Sequence, residues 1–305
     1  MFSFAIVCYL FLGGLGGGLC AVAGVAGLSV SRQEFQGGFT AKYQDFLGTA
    51  FGVAALSFVL AGLILLSDAG LTPALKYLFF APRLSYLTVG AWAIVLGTGA
   101  CLALFFLWKA GLAGRNVVLV RVLFAAAALV GFVVALYTGL FLASMKAVPL
   151  WNTPWLTVLF VFSSLSCGVV SFVVLSGMCG ASDAFSSCVG MLVKIDLGLI
   201  AFELFSAGVL AFTLIGNSAD GPTAAMGATS AIDLLLGRNS WIWWGGFVGL
   251  GIVATAVFDL LMLRAQRGWP GRSWSVLGTL FCVLAGAFSL RYCIIAAGAH
   301  PAMGF

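Results

Sequence analysis

Five ionisable side chains fall inside otherwise apolar stretches of this sequence: Lys194, Asp196, Glu203, Asp259 and Arg291. A charged group at the centre of a membrane-spanning helix costs about 2.5–3.5 kcal/mol even on the lenient insertion scale, so each needs a reason. Asp196 and Glu203 are seven residues apart, which puts them on one face of a helix, about 10 Å apart along its axis. Carboxyls stacked in this way, with a guanidinium at another depth, suit a proton relay or a ligand site. The simpler reading is an internal pair, such as Glu203 with Arg291, that holds helices together. Lys194 could instead snorkel to the surface, and Asp259 could cap a helix end near Arg264.

A second group of residues surrounds a short joint between two oily runs: Tyr137-Thr138-Gly139, then Lys146-Ala147-Val148-Pro149-Leu150-Trp151-Asn152-Thr153-Pro154-Trp155. Two prolines, two tryptophans, an asparagine and a lysine describe a rigid, shaped bend at a membrane surface. Tyr137 lies roughly two turns below that surface, at about 1.5 Å per residue, so a ligand there would be half in lipid. An ordinary interfacial aromatic is the alternative for Tyr137. Trp151 and Trp155 read as belt residues before they read as ligands, and Trp241, Trp243 and Trp244 mark the start of a later span in the same way.

The elements that hold these residues follow from composition. With 63% hydrophobic and 8% charged residues and a mean hydropathy of +1.17, the chain is far from a soluble domain, which carries about a quarter charged residues. The apolar runs are long enough for helices crossing a core of about 30 Å, and none shows the alternation of a barrel strand. The fold class is an all-α polytopic membrane protein of eight transmembrane helices, near 5–30, 46–67, 84–108, 117–145, 154–176, 187–215, 241–264 and 274–298. Residues 1–305 form a single integral membrane domain, with no loop large enough for a separate catalytic unit. The opening Met1-Phe2-Ser3 lacks a positive region, so the first span reads as a retained helix. In the connection 216–240, Asn217, Asp220, Gly221 and Pro222 predict a turn, and Asp233-Leu234-Leu235-Leu236 a short interfacial helix.

Lysine and arginine set the orientation. With both termini outside, the cytoplasmic side carries eight (Arg32, Lys42, Lys109, Arg115, Arg121, Arg264, Arg267 and Arg272) and the outer side four (Lys76, Arg83, Lys146 and Arg238). This bias accounts for much of the net charge of +5 and removes any need for a nucleic-acid partner. The joint and Tyr137 then face outward. The eight cysteines, Cys8, Cys20, Cys101, Cys167, Cys179, Cys188, Cys282 and Cys293, contain no C-x-x-C pair and read as small buried apolar residues. The one histidine, His300, cannot supply a bis-histidine haem, so a redox role calls for a diffusible cofactor or a partner's centres. Gly13 and Gly17 form a G-x-x-x-G pair, read as close helix packing. Gly249-Leu250-Gly251-Ile252-Val253-Ala254 matches a dinucleotide fingerprint formally, but no strand precedes it.

The joint from Tyr137 to Pro154, followed by Phe160 to Ser166 and Gly168, resembles the NrfD/PsrC family of membrane anchor subunits. The run Tyr9 to Gly18, Asp196 with Glu203, and Leu290-Arg291-Tyr292 with Gly298 are similar to that family's helices one, six and eight. The end of the chain, Arg291-Tyr292 to His300 and Met303-Gly304, also resembles the DmsC anchors. The resemblance implies two four-helix bundles (the first four spans and the last four), no haem or iron–sulfur cluster in this chain, and an exchangeable menaquinone or ubiquinone site near the outer face. It also implies a ferredoxin-like iron–sulfur partner and a molybdopterin catalytic subunit. The family's quinone-contacting tyrosine on span four maps onto Tyr137. The histidine and asparagine that some relatives place near the start of span one are not evident here.

Together these readings predict a quinol-binding anchor in the inner (cytoplasmic) membrane, passing electrons between the quinone pool and an iron–sulfur subunit of a reductase. Quinone contacts are expected from Tyr137, Lys146, Trp151 and Asn152, and a proton relay from Lys194, Asp196, Glu203, Asp259 and Arg291. The competing function is an ion-coupled transporter, against which stands the lack of a convincing repeat between the halves. A third is an assembly scaffold without a ligand.

Overall fold

The computed structural model describes residues 4–29, 40–69, 86–110, 117–179, 186–219, 221–265 and 272–298. Its helices are α1 (Phe4–Ser29), α2 (Thr40–Ala69), α3 (Tyr86–Lys109), α4 (Val117–Ala143), α5 (Pro154–Met178), α6 (Ser186–Gly216), α7 (Pro222–Leu236), α8 (Ile242–Ala254), α9 (Thr255–Ala265) and α10 (Arg272–Gly298). Eight stretches are long and apolar enough to cross a membrane, with α8 and α9 together making the seventh. Their ends lie within a few residues of the predicted ones. The chain is thus a multi-pass α-helical membrane protein, since a backbone in hydrocarbon must satisfy its polar groups internally. Residues 30–39, with Arg32, and the loop containing Lys76 and Arg83 lie outside the described residues, as do Arg115, Arg267 and His300.

Helix α1 is the organising element. It packs on α2, α4 and α5 and touches α10, and α5 in turn packs on α4, α6 and α10. Such contacts need thin helix faces, and glycine supplies them. A Cβ added to Gly18 would collide with the carbonyl of Ser164, and one on Gly168 with the backbone of Gly18. On the neighbouring face of α1, a Cβ on Gly17 would come within 2.9 Å of the Gly131 carbonyl on α4. The close-packing reading of the first-span glycines therefore holds. The thiols of Cys20, Cys101, Cys167, Cys282 and Cys293 are buried and free, as small apolar residues would be.

The predicted interfacial helix is α7, which begins at Pro222 and contains the Asp233 to Leu236 run. Helix α8 was not foreseen: it is π-helical over thirteen residues, with the Thr255 hydroxyl bonded to the carbonyl of Leu250, five residues back. Gly246 and Gly251 lie against α10, where Gly251 and Gly286 meet backbone to backbone. The formal dinucleotide motif thus lies inside a helix, with Gly251 at a packing contact. One tryptophan expectation is corrected here. Trp243 is 3% exposed and its ring centre lies 4.7 Å from that of Phe247, the rings tilted by 49°, so it belongs to the core, whereas Trp241 and Trp244 are exposed as belt residues are.

Candidate functional site

Tyr137 is not an ordinary interfacial aromatic. It is 3% exposed, and the hydroxyl of Tyr9 on α1 donates to its oxygen at 3.0 Å. Its ring fills a space left by Gly90 on α3, where any Cβ would strike the phenol. Three helices therefore fix one tyrosine about six residues, roughly 9 Å, below the end of α4. Because Tyr9 donates, the proton of Tyr137 is free to point at a further acceptor. Tyr9 escaped the sequence reading because an aromatic in an apolar first span carries no mark of its distant partner.

One residue on from Tyr9, the Leu10 carbonyl accepts from Arg291 Nε at 3.2 Å. This arginine is fully buried, and all its other partners are neutral. Nη1 donates to the Ala287 carbonyl at 3.0 Å and Ser163 Oγ at 3.4 Å, Nη2 to Ser164 Oγ at 2.9 Å, and the guanidinium lies 5.2 Å from the centre of the Phe160 ring. Gly14 makes room for it, since a Cβ there would hit Nη2. Glu203, on α6, lies near Ser163 and Arg291, but among the described residues the expected Glu203–Arg291 pair is not in direct contact. One turn further along α5, Ser166 faces Asp196, and Asp196 faces Asp259 on α9.

Taken in order of their neighbours, these polar groups make a discontinuous file: Tyr137 and Tyr9 joined by a hydrogen bond, then the Leu10 carbonyl, Arg291 and Ser163 joined by others, then Glu203, Ser166, Asp196 and Asp259 without hydrogen bonds among them. Asp196, Glu203, Asp259 and Arg291 are 1%, 5%, 0% and 0% exposed. Among the described residues, neither carboxylate oxygen of Asp196 or Asp259 has a partner within hydrogen-bond geometry. Asp259 is therefore no helix cap beside Arg264. Lys194 is exposed, two residues from Asp196 and so on the opposite side of α6; it stands apart from the file and fits the snorkelling reading. The α5 serines were missed, although the Ser163-Ser164-Leu165-Ser166 cluster within an apolar span is itself a signal of interhelical bonding.

The expected quinone contacts separate into three places. Trp151 is 1% exposed, donates from Nε1 to the Ile294 carbonyl at 2.9 Å and packs on Gly298, so it pins the joint to the end of α10. That role corrects the belt reading. Lys146 and Asn152 line a surface cavity of about 340 Å³ that neither Tyr137 nor Tyr9 borders. Tyr137 alone sits at the head of the file.

The family described as polysulphide reductase, NrfD matches residues 1–301. The chain belongs to the NrfD family. Among curated proteins, it is 30% identical over 174 residues to the C subunit of polysulfide reductase from Wolinella succinogenes, covering 56% of this chain and 52% of that one. It is 29% identical over 164 residues to protein NrfD of Escherichia coli strain K12, covering 53% and 48%. The aligned part spans about half the length of each relative. The family resemblance drawn from the joint is thereby established, and it extends over nearly the whole chain of this NrfD-family protein.

Proposed function

We propose that this NrfD-family protein is the quinol-binding membrane subunit of a respiratory reductase. In this role it exchanges electrons between menaquinol or ubiquinol and an iron–sulfur partner joined to a molybdopterin subunit. The carrying observation is the buried Tyr9–Tyr137 hydroxyl pair at one membrane face of a chain that matches the NrfD family over residues 1–301. The curated relatives include a subunit of a polysulfide reductase, an enzyme that consumes electrons. The inner membrane, both termini outside, and two four-helix bundles meeting along α1 and α5 complete the reading.

Oxidation of a quinol releases two electrons and two protons. Tyr137, oriented by Tyr9, hydrogen-bonds a substrate oxygen and holds it at a fixed depth. The electrons pass to the partner's nearest cluster at the outer face. In this reading Ser163, Glu203, Ser166, Asp196 and Asp259, whose hydroxyls and carboxyls can each accept and donate, take the protons toward the opposite face, whereas the Leu10 carbonyl and the Arg291 guanidinium cannot relay a proton and only position the file. Two ionised carboxylates at Asp196 and Asp259 would repel strongly in this apolar setting, so the pair is suited to hold a proton and pass it on.

Affinity purification from membranes tests the assignment. The reading expects an iron–sulfur protein to accompany the chain and a quinol analogue to reduce its clusters. Isolation of the chain alone, with solute flux in vesicles and no quinol-dependent reduction, would establish the transporter instead.

A further inference from the structure

The cavity that holds Lys146 and Asn152 is unlike the hydroxyl pair at Tyr137. It lies between the α4–α5 joint, the end of α6 and the start of α7, and its polar lining comprises Lys146, Asn152, Thr153, Thr213, Asn217 and Thr223. Among the described residues, Lys146 is the one charged group in that lining; the rest are amides, hydroxyls and apolar walls such as Pro149 and Leu214. The cavity is therefore positive and rich in donors. Thr223 and Ala224 in the lining belong to the first turn of α7, which starts after Gly221 at φ 138° and has no side-chain cap. That first turn reinforces what the lysine and the amides already favour, a ligand of negative charge with several acceptor oxygens.

The depth identifies the source of that anion. Trp241 and Trp244, 72% and 53% exposed, stand at the same end of the bundle, as does the half-buried Trp155, and such belts lie at the level of lipid headgroups. Leu236, at the end of α7, is 80% exposed, as a helix lying in the interface requires. We propose that the cavity binds the phosphodiester headgroup of an anionic phospholipid, with Lys146 neutralising the phosphate while Asn152, Asn217 and Thr223 fix its oxygens. The bound lipid would hold α7 against the joint. This inference is independent of the quinone reading, because neither Tyr137 nor the polar file enters it.

The test uses the intact protein with any co-purifying subunits, in mixed micelles. Its thermal midpoint and native mass spectra are read with phosphatidylglycerol, phosphatidylcholine or inorganic phosphate added. Phosphatidylglycerol should raise the midpoint and remain bound, phosphatidylcholine should do so weakly, and inorganic phosphate should do little. The double variant Lys146→Gln/Asn217→Ala should bind phosphatidylglycerol about tenfold or more less tightly, the loss expected for a hydrogen-bonded charge. Arg238→Gln, at the same end but outside the cavity, should bind as the unaltered chain does. If the double variant fails to fold, Asn152→Ala, an exposed side chain, must show the weakening. Equal phosphatidylglycerol affinity in the cavity variants and the unaltered chain would overturn the proposal. So would equal stabilisation by phosphatidylcholine, or by inorganic phosphate, which would make the site one for a free anion.

Discussion

At the residue scale, Arg291 shows how this bundle tolerates a charge. Its guanidinium is met by two carbonyls, two serine hydroxyls and an aromatic face, with no carboxylate in direct contact among the described residues. Hydrogen bonds to charged groups contribute about 1.5–3 kcal/mol each, so removing one leaves a donor stranded in a low dielectric. Ser164→Ala should therefore lower the thermal midpoint of the detergent-solubilised protein by several degrees, whereas Ser144→Ala, whose exposed hydroxyl bonds only its own helix, should leave it unchanged. Arg291 was legible as a site residue because a charge in an apolar span is conspicuous. Its partners were not, because carbonyls and serines look the same in any helix until a second helix crosses them. The same limit hid Tyr9, whose hydroxyl acquires meaning only where α1 crosses α4.

At the element scale, the spans were readable from length and hydropathy, the two properties that hydrocarbon demands of a helix. The π-helical form of α8 was not, since an apolar run rich in glycine obeys the same hydropathy whether its bonds run to the fourth or the fifth residue. That form matters because α8 leads directly into α9, and a wider helix changes the direction in which Asp259 faces α6. The glycines divide by what they touch. Gly18→Ala should force α1 from α5 and impair accumulation of folded protein in membranes, because its methyl would enter the Ser164 carbonyl. Gly198→Ala on α6 has open space around its Cβ, and accumulation should stay at the level of the unaltered chain or rise, as alanine favours a helix by about 0.5–1 kcal/mol. Antibody detection of membrane fractions separates the two outcomes.

At the scale of the whole molecule, the polar file has Tyr9 and Tyr137 at one end and, at the other, Asp196 and Asp259, which are buried on the packed helices α6 and α9. If this file carries protons, Glu203→Gln should remove its central carboxyl while leaving quinol docking intact. The predicted result in vesicles holding the assembled complex is a loss of most proton movement per electron, with quinol oxidation retained in part. Proton movement equal to that of the unaltered protein would make the acidic stripe structural. The reading of Asp196 and Glu203 as one inward-facing stripe is met in the structure, since both are buried on the face of α6 turned to α5. Lys194 fell outside it for a geometric reason: two residues along a helix turn a side chain to the opposite side.

On the proposed function, quinol is oxidised against the Tyr137 hydroxyl. Stopped-flow reduction of the partner's iron–sulfur clusters by a quinol analogue, compared between the unaltered complex and Tyr137→Phe, measures it most directly. The Tyr137→Phe complex should assemble and its clusters be reduced about 10- to 100-fold more slowly, the consequence of losing one hydrogen bond made to a reacting oxygen. Cluster reduction at the unaltered rate in that variant would place the site elsewhere.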